Sequence, residues 1–179
     1  LRGIIFDLGY SLDQIKNSKK GLSFKDKGKL NMRMGINNFS ANDFISNMDT
    51  NNLSKVFKIF GDERYSKKIA REIVRIREFK TIKTEDLVQI IDSVKKYQKT
   101  KIHNSTKIFQ ALRILVNKEI SELINALINS FHLIPIGGVI AVVTFHSIED
   151  KIVKFFFKHY SEERNSSRYM PNEEVSEKC

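Results

Sequence analysis

The sequence predicts an α/β chain in which a partial parallel sheet is interrupted by a block of helices. Two short apolar runs rich in β-branched residues, within Gly3 to Tyr10 and Val139 to Ser147, each end abruptly in a polar loop. Between them lies a long stretch whose apolar residues recur every three or four positions, the spacing of amphipathic helices. With 179 residues, 41% of them hydrophobic, the chain has enough apolar material for a real core. In an open parallel sheet a ligand binds at the carboxyl ends of the strands, which makes Asp7 and His146 the first candidate site residues. The alternative is that both merely end strands at the surface.

After the first strand, Gln14 to Asn38 has poor periodicity and reads as an ordered loop. Ser40-Ala-Asn-Asp43 has capping-box spacing and opens the helical block. Leu53, Val56, Phe57 and Phe60 give one buried stripe on a helix over Asn52 to Phe60. A helix over Glu63 to Phe79 sets Ile69, Ile73 and Ile76 on one face and Arg64, Lys67, Lys68, Arg71 and Arg75 around another. Such a face is either simply solvated or a phosphate contact. Thr84 is expected to cap a helix over Glu85 to Val94, followed by a basic linker, Lys95 to Lys101.

Phe109, Leu112, Val116, Ile120, Leu123 and Leu127 predict one long helix from Ile108 to Ser130. Gln110, Arg113 and Asn117 share a face of it, as crevice-lining residues or as a plain polar face. Pro135 to Gly138 turns the chain into the second strand, and Ser147 is expected to cap a helix over Glu149 to His159. The resulting division is core residues 1–38, a helical insertion at 39–102, core residues 103–160 and a loose polar tail at 161–179.

Composition narrows the partners. Lysine and arginine outnumber aspartate and glutamate 31 to 21, a net charge of +10 that favours a polyanion through counterion release. A lysine-rich codon bias, visible in the abundance of Lys, Asn and Ile, would produce the same excess. The single cysteine, Cys179, supports neither a disulfide framework nor a Cys-based metal site, and the four histidines show no HxxxH spacing, so no metal is expected. No apolar run approaches the roughly 20 residues that span a bilayer, and no leader precedes the first strand. A soluble protein of the reducing cytoplasm, with no membrane partner, is the expectation. Leu1 stands where an initiator Met would be, and the chain reads as truncated at its N-terminus.

Five segments together resemble the bacterial 16S rRNA cytosine-N4 methyltransferase family. They are Asp7-Leu-Gly-Tyr-Ser11 with Gln14; Gly21-Leu-Ser-Phe24 followed by Leu30-Asn-Met-Arg-Met34; Gly61-Asp-Glu-Arg-Tyr65 with Ile69-Ala-Arg71; Thr106 to Arg113 through Glu119; and Gly137-Gly138 through Phe145-His-Ser-Ile-Glu-Asp150 to Lys154. The resemblance implies a Rossmann-like, S-adenosylmethionine-dependent methyltransferase core interrupted by a helical domain that grips RNA. The implied substrate is a cytosine of 16S rRNA in the small ribosomal subunit, at position 1402. It also implies that Asp7 and Gln14 match positions assigned to the methyl donor. Two blocks depart from the family pattern: Tyr10-Ser-Leu-Asp13 replaces Val-Ser-Ser-Pro, and Asn31 and Gly35 replace two carboxylates. The family's Gly-rich donor loop and its ribose-binding acid lie upstream of residue 1, and its last strands lie downstream.

Such a reaction needs in-line positioning and an acceptor for an amino hydrogen, because the cytosine amine's lone pair is delocalised into the ring. Asp7-x-x-Tyr10 resembles the D-P-P-Y loop of other amino methyltransferases, with the carboxylate or a turn carbonyl accepting from the amine and the ring stacking on the base. His146 would take the released proton or meet a phosphate, unless it is a strand-end residue bonded to nearby backbone. Arg33 suits a phosphate or the donor's carboxylate, and Met32 and Met34 suit packing. Two other readings compete. One is an inactive RNA-binding remnant built on the basic helix. The other is a hydrolase using His146 with Ser147 or Asp7, disfavoured because no G-x-S-x-G elbow is present. An uncovered sheet face would make the chain sticky or homo-oligomeric in isolation.

Overall fold

The computed structural model describes residues 1–10, 20–25, 28–35, 38–96 and 102–161. Gln14, most of the basic linker and nearly all of the polar tail lie outside the described residues. Among the described residues the chain is mixed α/β, with strands β1 (Gly3–Asp7) and β2 (Val139–Val143) and seven helices. The helices are α1 (Ala41–Asn47), α2 (Thr50–Gly61), α3 (Ser66–Arg77), α4 (Thr84–Val94), α5 (Thr106–Val116), α6 (Glu119–Leu133) and α7 (Ser147–Ser161). No helix among the described residues is long and apolar enough to cross a membrane. The chain divides into two compact units, Tyr10–Glu119 and Leu1–Gly9 with Ile120–Cys179.

The helical unit begins as its sequence implies. Ser40 Oγ accepts from the Asp43 amide at 3.2 Å and the Asp43 carboxylate accepts from the Ser40 amide at 2.8 Å, a complete capping box at the start of α1. Asp49 caps α2 by accepting from the Asn52 amide. Leu53 and Phe57 on α2 are fully buried with Ile69 and Ile73 of α3, Leu87 and Ile91 of α4, and Ile108 and Leu112 of α5. Leu30 and Met32, from the loop before α1, complete this core. Gly61 permits the close crossing of α2 and α5, since a Cβ there would stand 2.5 Å from the Lys107 carbonyl oxygen.

The starts of α3 and α4 and the end of α5 differ from expectation, each for a visible reason. Helix α3 starts at Ser66 rather than Glu63. The Glu63 side chain is buried in an ion pair with Lys95 at 2.8 Å and accepts from the Tyr65 amide. Helix α4 starts at Thr84 itself, because the Thr84 hydroxyl donates to the Gly28 carbonyl and the Asp86 carboxylate accepts from the Lys83 amide instead. The single helix expected over Ile108 to Ser130 is two. Lys118 adopts a left-handed φ of 53°, and the Asn117 side chain donates to the Met32 carbonyl and accepts from the Met34 amide.

In the second unit β1 and β2 pair in parallel, Gly3 opposite Val139 and Asp7 opposite Val143. Leu123, Leu127, Val153 and Phe156 from α6 and α7 pack with Phe6, Leu8 and Val142, so one sheet face is partly covered. On the opposite face Ile5 is 79% exposed and Val139 63%.

Candidate functional site at the carboxyl edge of the strands

Because β1 and β2 are parallel and in register, Asp7 and Val143 finish side by side, and the loops that follow leave the same edge. The Leu8 amide still donates to the Val143 carbonyl at 3.1 Å, and the Gly9 amide turns back to the Asp7 carbonyl at 3.0 Å. A Cβ on Gly9 would lie 3.0 Å from the Phe145 ring, so the small residue lets the two strand-end loops touch. The Asp7 side chain is exposed at this edge.

His146, in the loop that follows β2, is partly buried, 11% exposed at its side chain. Its Nδ1 accepts from the Glu149 amide at 3.4 Å, and the Glu149 carboxylate accepts from the Phe145 and His146 amides at 2.9 and 3.3 Å. This is the reciprocal geometry of a capping box with histidine at the N-cap. Helix α7 therefore starts at Ser147, and His146, not Ser147, caps it. His146 Nε2 stands 3.1 Å from the other Glu149 oxygen, an ion pair when the imidazole is protonated. Glu149 is 6% exposed. The only trace of its role in the sequence is the His-x-x-Glu spacing of a capping box.

The helical unit holds the other candidates. Tyr10 is 41% exposed, and its ring centroid lies 4.3 Å from the guanidinium carbon of Arg113. Arg113 is in turn clamped by Glu119 through bonds of 2.8 and 3.0 Å. Arg33 is half-buried, its Nε donating to Asn31 at 2.7 Å. Gln110 donates weakly to the Phe60 carbonyl and Asn117 is bound to the Met32–Met34 loop, so the face shared by Gln110, Arg113 and Asn117 holds the unit together. Arg64, Lys67, Lys68, Arg71 and Arg75 are all exposed. Arg75 bonds Glu72 at 2.7 Å, and Lys68 lies 5.8 Å from the Tyr65 ring.

Parallel strands that deliver an exposed carboxylate and a histidine-capped helix to one edge define an α/β protein, the class in which ligands ordinarily bind at the carboxyl ends of the strands. The sequence matches the MraW methylase family over residues 1–178, and the chain belongs to that family. It is 40% identical over 179 residues to a protein of Chelativorans sp. named ribosomal RNA small subunit methyltransferase H, covering 99% of this chain and 53% of that one. Proteins of the same name from Sinorhizobium fredii and Afipia carboxidovorans are 42% and 43% identical, over 96% of this chain and 51% and 52% of theirs. The chain spans about half the length of these relatives.

Proposed function

We propose that the chain forms part of an enzyme that methylates the exocyclic amine of a cytosine in 16S rRNA of the small ribosomal subunit, with S-adenosylmethionine as donor. The observation that carries this reading is the meeting of the Asp7 turn and the Phe145-His146 loop at one strand edge, in a chain of this family. An exposed carboxylate there fits a donor rich in hydrogen-bond donors and positive charge, since an ionised Asp offers acceptors only. Asp7, with Gln14, would hold it. When bound, that group supplies an electrophilic methyl on a sulfonium sulfur.

The chain's own residues then have two tasks. They hold the amine in line and accept one of its hydrogens, which suits Asp7 or the carbonyls of its turn. His146 and Glu149 fix the Phe145-His146 loop, and His146 is the second candidate acceptor for the released proton, which it would take at Nδ1 by releasing the Glu149 amide. Residues 1–38 and 103–160 form the catalytic core in this reading, and the helical segment 39–102 is the RNA grip. Arg64, Lys67, Lys68, Arg71 and Arg75 meet phosphates, Arg33 a further phosphate, and Tyr10 a base.

The test is calorimetry of S-adenosylmethionine with the 179-residue chain, followed by transfer of labelled methyl groups to small ribosomal subunits. Asp7→Asn should weaken donor binding about tenfold or more, the loss expected when a charged hydrogen-bond partner is removed. Salt-sensitive RNA binding without donor binding would favour the RNA-binding remnant instead.

A further inference from the structure

We propose that Arg113 and Glu119 are positioning residues that hold the Tyr10 ring as a fixed platform on which a nucleobase of the RNA substrate stacks. The inference rests on the RNA-directed reading above and adds the residues that would make one of its contacts rigid. All three residues belong to the helical unit.

The first observation is the clamp. Arg113 Nε and Nη2 each reach a different oxygen of Glu119, at 2.8 and 3.0 Å, and the two side chains are only 13% and 21% exposed. A two-point bond of this kind fixes the plane of the guanidinium as well as its place. The guanidinium carbon lies 4.3 Å from the centroid of the Tyr10 ring, so the ring rests on an immobilised cation.

The second observation is that the backbone is broken to build the clamp. Glu119 follows Arg113 by six positions, which on a continuous helix would set the two side chains about 120° apart around the axis. The chain instead leaves α5 after Val116, passes through the left-handed Lys118 (φ 53°) and starts α6 at Glu119. Asn117 secures the break by bonding the Met32 carbonyl, the Met34 amide and the Arg113 carbonyl. A non-glycine residue held at positive φ costs free energy, and this one brings a carboxylate onto Arg113.

The third is exposure. Tyr10 is 41% exposed, so part of the ring is open to a stacking partner. It also stands three positions after the exposed Asp7 in the same strand-end sequence. A ring pre-set in this way loses little freedom on stacking, and base stacking on aromatic side chains tolerates many sequences.

The experiment measures affinity of the full 179-residue chain for a single-stranded rRNA oligonucleotide carrying 2-aminopurine beside the target cytosine, following its fluorescence. Tyr10→Leu should weaken binding about tenfold and abolish the stacking quench, and Tyr10→Phe should restore both. Arg113→Gln and Glu119→Gln should each weaken binding several-fold in the wild-type background, with no further loss when combined with Tyr10→Leu. Thermal unfolding accompanies each variant, and Arg113→Lys, which keeps the charge without the fork, replaces Arg113→Gln if the latter does not fold. Equal losses with and without Tyr10 would overturn the positioning role, as would unchanged quenching in Tyr10→Leu. Absence of RNA binding by the wild-type chain would instead sink the RNA-directed reading itself.

Discussion

Asp43 accepts hydrogen bonds from both the hydroxyl and the amide of Ser40. The Ser40 side-chain bond, then its backbone bond, hold the carboxyl below its ordinary value of 3.8. Between the lowered folded value and 3.8, the unfolded chain binds more protons than the folded one, so stability rises with pH across that window. The contribution is complete above the ordinary value and is lost as pH falls through the folded one. Asp43→Ala, which removes the N3 half of the capping box, should therefore cost about 1 kcal/mol at neutral pH and less in strong acid, as read by urea unfolding at both. This cap was legible because its four residues are contiguous. The N-terminus of α7 differs from the sequence expectation because its cap depends on the folded loop. Serine is the commoner cap, and only the folded loop shows His146 Nδ1, rather than Ser147, meeting the Glu149 amide.

At the scale of the element, periodicity located nearly every helix but did not show where one ended and the next began. The apolar spacing runs unbroken through Asn117 and Lys118, although Phe109, Leu112 and Val116 belong to one core and Leu123 and Leu127 to another, because periodicity marks which residues are apolar and not which core they enter. What breaks it is Asn117, whose side chain is bound to backbone more than 80 positions away. Lys118 occupies the position after the helix C-cap, where glycine is favoured because it lacks a Cβ. Lys118→Gly should accordingly raise stability by about 1 kcal/mol, the left-handed cost of a residue with a Cβ less the entropic cost of glycine, whereas Lys118→Ala should bring no gain. Thermal melting of the two variants in parallel checks both.

At the scale of the whole molecule, the sheet of the second unit leaves one face to solvent. Ile5, Val139 and Val143 are 79%, 63% and 49% exposed. Parallel sheets are ordinarily covered on both faces, and an apolar face of this kind drives association. The 179-residue polypeptide should bind a hydrophobic dye and associate with rising concentration, and Ile5→Lys with Val139→Lys should suppress both. Sedimentation of the two forms decides it; a dye-silent monomer at all concentrations would contradict the expectation.

The sequence by itself determined the α/β class, the two strands, the positions of the helices, the basic face of α3 and the family. Each of these is written in contiguous periodicity, composition or an ordered set of motifs. Tertiary structure decided the parallel register that sets Asp7 opposite Val143, the contact of Gly9 with Phe145, the buried Glu63–Lys95 pair and the Arg113–Glu119 clamp beneath Tyr10. Most of these join residues far apart in the chain. Even the short-range Arg113–Glu119 pair forms only because a distant loop, through Asn117, breaks the helix between them. No local pattern records such pairings, since they depend on which surfaces meet once the core has closed.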